Sequence, residues 1–151
     1  MSIFGKPTRQ SGLEPGQLVR IPIGEFGQTY GRLLAAQPFL AVYDCRAEDG
    51  DPAGIEIVQH PVLFVVGAVF ESPIKEGRWT PLDVVPLEEF DVEIPPFYHR
   101  AVGDQGRLTI IDAGGEPRPA TAAECAGLER LETLMDEALE NRIIDHYRAQ
   151  E

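Results

Sequence analysis

Apolar and polar residues alternate along much of the chain in the manner of β-strands. Val19, Ile21 and Ile23 recur at every second position from Gln17 onward, which predicts a strand with one firmly buried face. Turn residues separate this strand from further apolar runs. These runs predict strands at residues 29–35, 39–45, 61–70, 78–85 and 107–112, of which 61–70 is the most hydrophobic and is expected to be central. Residues 54–58 fit either a short strand or a connecting segment, and residues 86–97 an exposed, extended connection.

The pattern changes to helical spacing after the prolines of residues 117 and 119. Apolar residues now recur at steps of three and four, and Thr121 with Glu124 forms a capping box at the start of the run. These features predict one helix over residues 121–147, with an apolar stripe of Leu128, Leu131, Met135, Leu139 and Ile143. We expect the stripe to dock on the sheet, although an amphipathic helix can also pair with a partner protein.

The predicted elements indicate an α+β fold with a single domain. Residues 1–16 are polar and turn-rich and are expected to form a flexible leader. Residues 17–151 then form the domain, β-rich over 17–112. The predicted architecture is a strongly bent antiparallel β-sheet or a small barrel of about six strands, with one long C-terminal α-helix over one face or open end. The 15 glycines and 13 prolines fit short strands joined by many turns.

The charge balance limits the classes of partner. The chain carries 25 acidic residues against 13 lysines and arginines, a formal charge of −12. Such a protein repels phosphate backbones and anionic lipid, so we expect no direct nucleic-acid or membrane binding. It attracts a protein with a basic surface, although acidity can also serve solubility alone. Because the start of the chain lacks a signal peptide and no apolar run could span a bilayer, a cytoplasmic location is expected.

Residues for catalysis or metal binding do not occur at the usual spacings. The chain lacks a nucleophile elbow, a P-loop, an H-E-x-x-H motif and a G-x-G-x-x-G motif. Its three histidines lie far apart, and Cys45 at a strand end is interpreted as a small buried residue. Trp79 is interpreted as a core residue. We therefore predict no catalytic residue, metal or cofactor, and a protein that is not an enzyme.

Acidic residues concentrate instead in two turn-rich segments that are expected to be exposed. Loops held on a rigid sheet commonly carry binding residues, and aromatic residues beside them commonly anchor an interface. The predicted partner-binding residues are Glu48, Asp49, Asp51, Glu88, Glu89, Asp91, Glu93 and Tyr98. The alternative is that these acids form only a solvated surface.

Several apolar segments also occur in a characteristic order and spacing over residues 17–112. They are the hairpin of residues 19–24 and 29–34, the strand 41–44, the strand 61–66 with Gly77-Arg78-Trp79 and Pro86-Leu87 after it, and Pro95-Pro96-Phe97. In this arrangement the chain resembles the immunity protein 26 family of bacterial polymorphic-toxin systems. The C-terminal helical segment resembles the family less clearly.

The resemblance implies an immunity protein that binds and neutralises a toxin encoded beside it, often a nuclease. The hypothesis is stoichiometric inhibition, in which the acidic loops occlude a basic cleft of the toxin. The resemblance implies no catalytic residue. The alternative hypothesis is an acidic β-barrel adaptor that binds a peptide or a regulatory protein, with no toxin involved.

Overall fold

A computed structural model of the chain describes residues 13–34, 39–100, 107–111 and 117–151. The described residues form two compact units, one comprising residues up to Asp91 together with Thr133–Glu151, the other Val92–Glu132. The elements of the first unit are β1 (Gln17–Pro22), β2 (Gln28–Leu33), β3 (Phe39–Ala47), α1 (Gly54–Ile57), β4 (Val62–Ala68), α2 (Glu71–Lys75), β5 (Thr80–Val84), β10 (Thr133–Leu134) and α4 (Asp136–Arg148). Those of the second are β6 (Phe97–Arg100), β7 (Leu108–Ile111), β8 (Arg118–Ala120), α3 (Ala122–Cys125) and β9 (Glu129–Arg130).

The first unit is built on a six-stranded sheet in the order β10-β4-β3-β2-β1-β5. All pairs are antiparallel except the short parallel pair of β10 with β4. The mixed α+β prediction is confirmed, but the barrel is wrong because this sheet is open, with β10 and β5 at its two ends. The open sheet also removes the barrel on which the adaptor alternative rested.

The central strands of this sheet are β3 and β2, and the prediction that residues 61–70 form the central strand is wrong. The first five residues of β3 are all buried, so that strand is covered on both faces. β4 is second from one end, and Val62 at its start is 37% exposed. The hydrophobicity of a strand indicates how much apolar surface it can bury. Its position in the sheet depends instead on which neighbouring strands it forms hydrogen bonds with.

The core of the first unit follows from the alternation of apolar residues. Val19, Ile21 and Ile23 are fully buried, as the sequence predicts, and they share one cluster with Trp79 and Ile143. Trp79 is 0% exposed, which confirms its interpretation as a core residue. Full burial of a valine or isoleucine side chain stabilises the fold by about 1.5–3 kcal/mol.

A buried carboxylate fastens α4 to this core. Glu140 is 5% exposed, and its Oε2 accepts hydrogen bonds from Trp79 Nε1 at 2.8 Å and from Arg78 Nε at 2.7 Å. A second Arg78 nitrogen contacts Glu140 Oε1, so the pairing is bidentate. Hydrogen bonding to Glu140 raises the pKa of Arg78. The Gly77-Arg78-Trp79 segment therefore has a structural role.

The predicted helix over residues 121–147 is wrong in its continuity. Helix α3 ends at Cys125, and Gly127 with φ +87° cannot continue a right-handed helix. The following residues pair as strands, with β9 parallel to β6 and β10 parallel to β4. Sheet hydrogen bonds thus replace helical ones in the middle of the predicted helix.

The ends of the predicted helix are nevertheless helical. Thr121 and Glu124 form the expected capping box, with the Thr121 N–H donating to Glu124 at 2.8 Å. The predicted apolar stripe, however, is not a continuous surface. Leu139 is fully buried like Ile143, whereas Met135 is 58% exposed and Leu131 lies in the second unit.

Residues 54–57 form helix α1, a connecting segment between β3 and β4, so of the two alternatives for residues 54–58 the strand is wrong. Two smaller expectations also change. Phe97, predicted to lie in an extended connection, begins β6 in the four-stranded sheet β8-β7-β6-β9 of the second unit. The strand predicted at 107–112 corresponds to β7, but β8, β9 and β10 follow it.

Residues 1–12 of the predicted leader lie outside the described residues. Within the rest, Gly16 donates its N–H to the Leu33 carbonyl at 2.8 Å, and Leu13 packs against the core. The single-domain boundary at residue 17 stays a prediction. Over the described part of the chain, no helix combines the length and apolar character needed to cross a membrane.

Candidate partner-binding site

The first group of predicted acids lies in the loop after β3. Glu48 and Asp49 are exposed at its start. Asp51 is different, because its carboxylate accepts hydrogen bonds from Arg20 Nη1 at 2.7 Å, Gln28 Nε2 at 3.0 Å and the Tyr30 hydroxyl at 2.9 Å. The structure therefore uses Asp51 to fix the loop, while Glu48 and Asp49 carry its exposed charge.

The Asp51 contacts also affect Tyr30. Burial is the main reason that the pKa of Tyr30 rises from its ordinary value of 10 to about 12, and Asp51 adds to the rise. A neutral phenol suits this position because its hydroxyl group donates a hydrogen bond to the carboxylate. Tyr30 thus remains a hydrogen-bond donor over the physiological pH range.

The second group of predicted acids lies in the segment Pro86–Asp91, which we call the Phe90 loop. Glu88, Glu89 and Asp91 are exposed on this loop. It begins with a β-turn in which the Glu89 N–H donates to the Pro86 carbonyl at 2.9 Å. The preceding residue, Val85, is buried and donates its N–H to the Gly16 carbonyl at 3.0 Å. One end of the loop is therefore fixed to the core.

The backbone of the Phe90 loop is held from inside the protein by Arg32 of β2, which is 0% exposed. Its Nη2 atom lies 2.8 Å from the carbonyl oxygen atoms of Val85, Pro86 and Glu89, and its Nη1 atom lies 2.6 Å from that of Phe90. The Tyr43 hydroxyl accepts a further hydrogen bond at 3.3 Å. Guanidinium suits this task because its donors diverge in one rigid plane.

Phe90 itself combines two unusual properties. Its φ is +53°, and it is the one non-glycine residue with positive φ within the described ranges. Its side chain is 50% exposed although it is a large hydrophobic residue. No sequence pattern indicates the pairing between Arg32 and the backbone at Phe90, because it joins segments that lie far apart along the chain.

Glu93 and Tyr98 belong to the second unit. Glu93 is exposed, whereas Tyr98 on β6 is half-buried and accepts the Leu131 N–H at its carbonyl at 2.7 Å. Tyr98 lines a shallow depression of about 270 Å³ together with Arg100 and Cys125. The structure thus divides the predicted binding residues between the two units.

A broad open groove of about 590 Å³ lies at the end of β3 and is lined by Asp44, Arg46, Glu48 and His60, among others. The Arg46 guanidinium stacks on the Tyr147 ring at 4.3 Å. Tyr147 donates its hydroxyl hydrogen to Asp44 Oδ1 at 2.9 Å, and burial with this contact raises its pKa. Two of the charged side chains that line this groove, Asp44 and Arg46, are therefore engaged by Tyr147.

Cys45 also borders that groove, as a free and buried thiol. Burial raises its pKa, and the neighbouring Asp44 and Glu56 charges act in the same direction. A raised thiol pKa leaves little thiolate, which is the nucleophilic form. Among the residues that the structure describes, no three His, Cys, Asp or Glu side chains are grouped to hold a metal ion.

Comparison with known proteins gives one match. The model of the immunity protein 26 family matches residues 14–107, which include β1–β6 and the Phe90 loop. No curated protein and no solved structure matches the chain. The match covers more than half of the 151 residues and the same region as the strand segments that resemble the family. The chain therefore belongs to the immunity protein 26 family.

Proposed function

We propose that this protein binds a bacterial toxin encoded beside it and neutralises it by stoichiometric occlusion. The toxin is of the nuclease type and presents a basic surface. The observation that carries this proposal is the family match over residues 14–107. That region includes both groups of predicted acids, which we propose as the partner surface.

Exposed negative charge supports the choice of a basic partner. All seven predicted acidic residues are exposed, namely Glu48, Asp49, Asp51, Glu88, Glu89, Asp91 and Glu93, and Asp51 also accepts hydrogen bonds from three side chains. The whole chain carries a formal charge of −12. Charge of this sign accelerates encounter with a basic surface, and nucleases carry such surfaces because they bind phosphate.

The environments of Cys45 and Asp44 support binding rather than catalysis as the mechanism. Burial raises the pKa of the Cys45 thiol, which disfavours the nucleophilic thiolate, and the Asp44 carboxylate is engaged with the Tyr147 hydroxyl. We therefore propose a non-enzymatic inhibitor that acts in the cytoplasm. Two buried cysteines that are free rather than joined fit a reducing compartment.

Co-expression with the adjacent toxin gene tests the proposal. Cells producing the toxin should grow when this protein is present and should stop growing with an empty vector or an unrelated protein of similar charge. Affinity capture from the protected cells should recover the toxin with the protein in a fixed ratio. Growth arrest despite full-length, folded protein, together with no recovered toxin, would contradict the proposed function.

A further inference from the structure

The Phe90 loop has a fixed backbone. Arg32 contacts three of its carbonyl oxygens, those of Pro86, Glu89 and Phe90, and that of the preceding Val85, at 2.6–2.8 Å. The arginine is fully buried and has carbonyl and hydroxyl oxygens as its partners. Burying a charge in this way is costly unless hydrogen bonds compensate it, and here a single loop supplies most of them. The loop conformation is therefore determined by the interior of the protein.

The same conformation leaves a large aromatic residue half exposed. Phe90 adopts φ +53°, which is an outlier for a bulky side chain, and its ring remains 50% exposed. Such backbone strain persists only where the surrounding structure imposes it, and it concentrates at functional sites. The outlier thus presents an apolar group outward on a preformed support.

The surroundings of the ring match the composition of a protein interface. Glu88 and Glu89 are exposed immediately before Phe90. A shallow depression of about 260 Å³ adjoins the loop, and Val84, 37% exposed, lies in its lining with Leu87. An apolar centre with a charged rim is the usual anatomy of a binding surface, and aromatic anchors carry much of the binding energy.

We propose that the Phe90 loop is the docking element of this protein, with Phe90 inserting into an apolar pocket on the toxin that is rimmed by lysine or arginine. This inference rests on the proposed function and specifies its contact surface. Glu88 and Glu89 face the basic rim, and Arg32 acts as a positioning residue that sets the loop before binding. Preorganisation of this kind lowers the ordering cost of association.

The first test compares Phe90→Ala with Ile55→Ala, which removes another exposed hydrophobic side chain from the same unit. Equilibrium binding to the purified toxin should weaken by about 30-fold or more for Phe90→Ala, as for an interface hot spot. The Ile55→Ala control should remain within about two-fold of the parent protein. Equal affinities for Phe90→Ala and the parent would overturn the proposal.

Replacing Phe90 with glycine separates binding from folding. Glycine adopts positive φ without strain, so Phe90→Gly should keep or raise the thermal unfolding midpoint while losing affinity as Phe90→Ala does. A purely structural role for the ring predicts the opposite pattern, with lower thermal stability and unchanged affinity of the folded fraction. That pattern would overturn the proposal.

The acidic rim is tested by association kinetics. Glu88→Gln with Glu89→Gln should slow association several-fold at low salt and reduce its salt dependence. Glu71→Gln with Glu76→Gln changes the same charge at exposed positions away from the loop and should have a smaller effect. Equal effects of the two double variants on the association rate would show that only the net charge matters. That result would contradict the proposed contact of Glu88 and Glu89 with a basic rim.

The positioning role of Arg32 needs a conservative variant. Lysine keeps the charge but presents a single ammonium group, so Arg32→Lys should weaken binding even where the folded fraction is complete. Unchanged affinity would show that Arg32 does not set the loop.

In every assay the binding of the parent protein is measured first. Failure of the parent to bind the toxin refutes the proposed function. Normal binding by both the parent and Phe90→Ala refutes only the proposal that the Phe90 loop is the docking element.

Discussion

At the scale of single residues, Arg32 gives the clearest link between sequence position and loop geometry. It lies on a strand whose residues from Thr29 to Leu33 are all buried, so its charge cannot reach solvent. Its hydrogen bonds go mainly to backbone carbonyls of residues 85–90. Replacing it removes a donor from each of these acceptors, and a polar group left buried and unsatisfied costs about 1–3 kcal/mol.

We therefore predict that Arg32→Met lowers the free energy of unfolding by about 2–4 kcal/mol. Arg148→Met is the matched control, because Arg148 makes an exposed ion pair with Glu25. Exposed pairs contribute about 1 kcal/mol or less. Urea denaturation of the two variants checks the difference. Similar losses for both would contradict the role assigned to the buried guanidinium.

Tyr30 provides a prediction in pH. Its pKa is about 12 in the folded protein against an ordinary 10, so the unfolded chain releases this proton first as pH rises. Stability should therefore be intact below pH 10 and should fall between pH 10 and 12. The rise in phenolate absorbance near pH 12 should be smaller in Tyr30→Phe, and the alkaline loss of stability should become shallower, while Tyr43 and Tyr147, whose pKa values burial also raises, titrate in both proteins. An unchanged alkaline slope in Tyr30→Phe would contradict the assignment.

Some of these residue roles were predictable from sequence and others were not. Trp79 could be assigned to the core because a lone tryptophan in an apolar segment usually packs inside. The structural engagement of Asp51 could not, because its three partners come from two other strands. The roles of Arg32 and Phe90 could not be predicted either. They depend on hydrogen bonds to backbone carbonyl groups, which every residue carries and which therefore leave no pattern in the sequence.

At the scale of elements, the segment after Thr121 shows how helical periodicity can mislead. Apolar residues at three- and four-residue steps predict a single helix, yet Gly127 and the pairing of β9 and β10 interrupt it. Periodicity reports which faces a helix would bury but contains no information on available strand partners. The strands β1, β2 and β3, by contrast, were predictable because alternation, turns and burial all agree.

Helix α4 yields a prediction that separates the real apolar face from the predicted one. Ile143 is 0% exposed within the core, so Ile143→Ala should lower the free energy of unfolding by about 2–5 kcal/mol. Met135 is 58% exposed, so Met135→Ala should cost less than about 1 kcal/mol. Thermal or urea unfolding checks both. A larger loss of unfolding free energy for Met135→Ala than for Ile143→Ala would support the continuous apolar stripe predicted from the sequence. It would contradict the buried face of α4 that the structure describes.

At the scale of the whole molecule, charge and family membership point to the same activity by independent arguments. The charge of −12 favours a basic partner and disfavours nucleic acid, whatever the fold. The family match covers residues 14–107, and the resemblance of residues 17–112 rests on the order and spacing of apolar segments. The sequence could therefore predict the family, whereas the basic surface of the partner stays a prediction. The contact geometry required the structure, because it depends on how Arg32 sets the Phe90 loop.

The most direct test of stoichiometric neutralisation is a titration of toxin activity with the purified protein. At toxin concentrations far above the dissociation constant, activity should fall linearly and reach its minimum at a fixed molar ratio of whole numbers. Toxin released from the complex by denaturation and refolding should regain its activity with an unchanged mass. Complete inhibition at a small fraction of that ratio, or a covalently altered toxin, would contradict the account and indicate an enzyme.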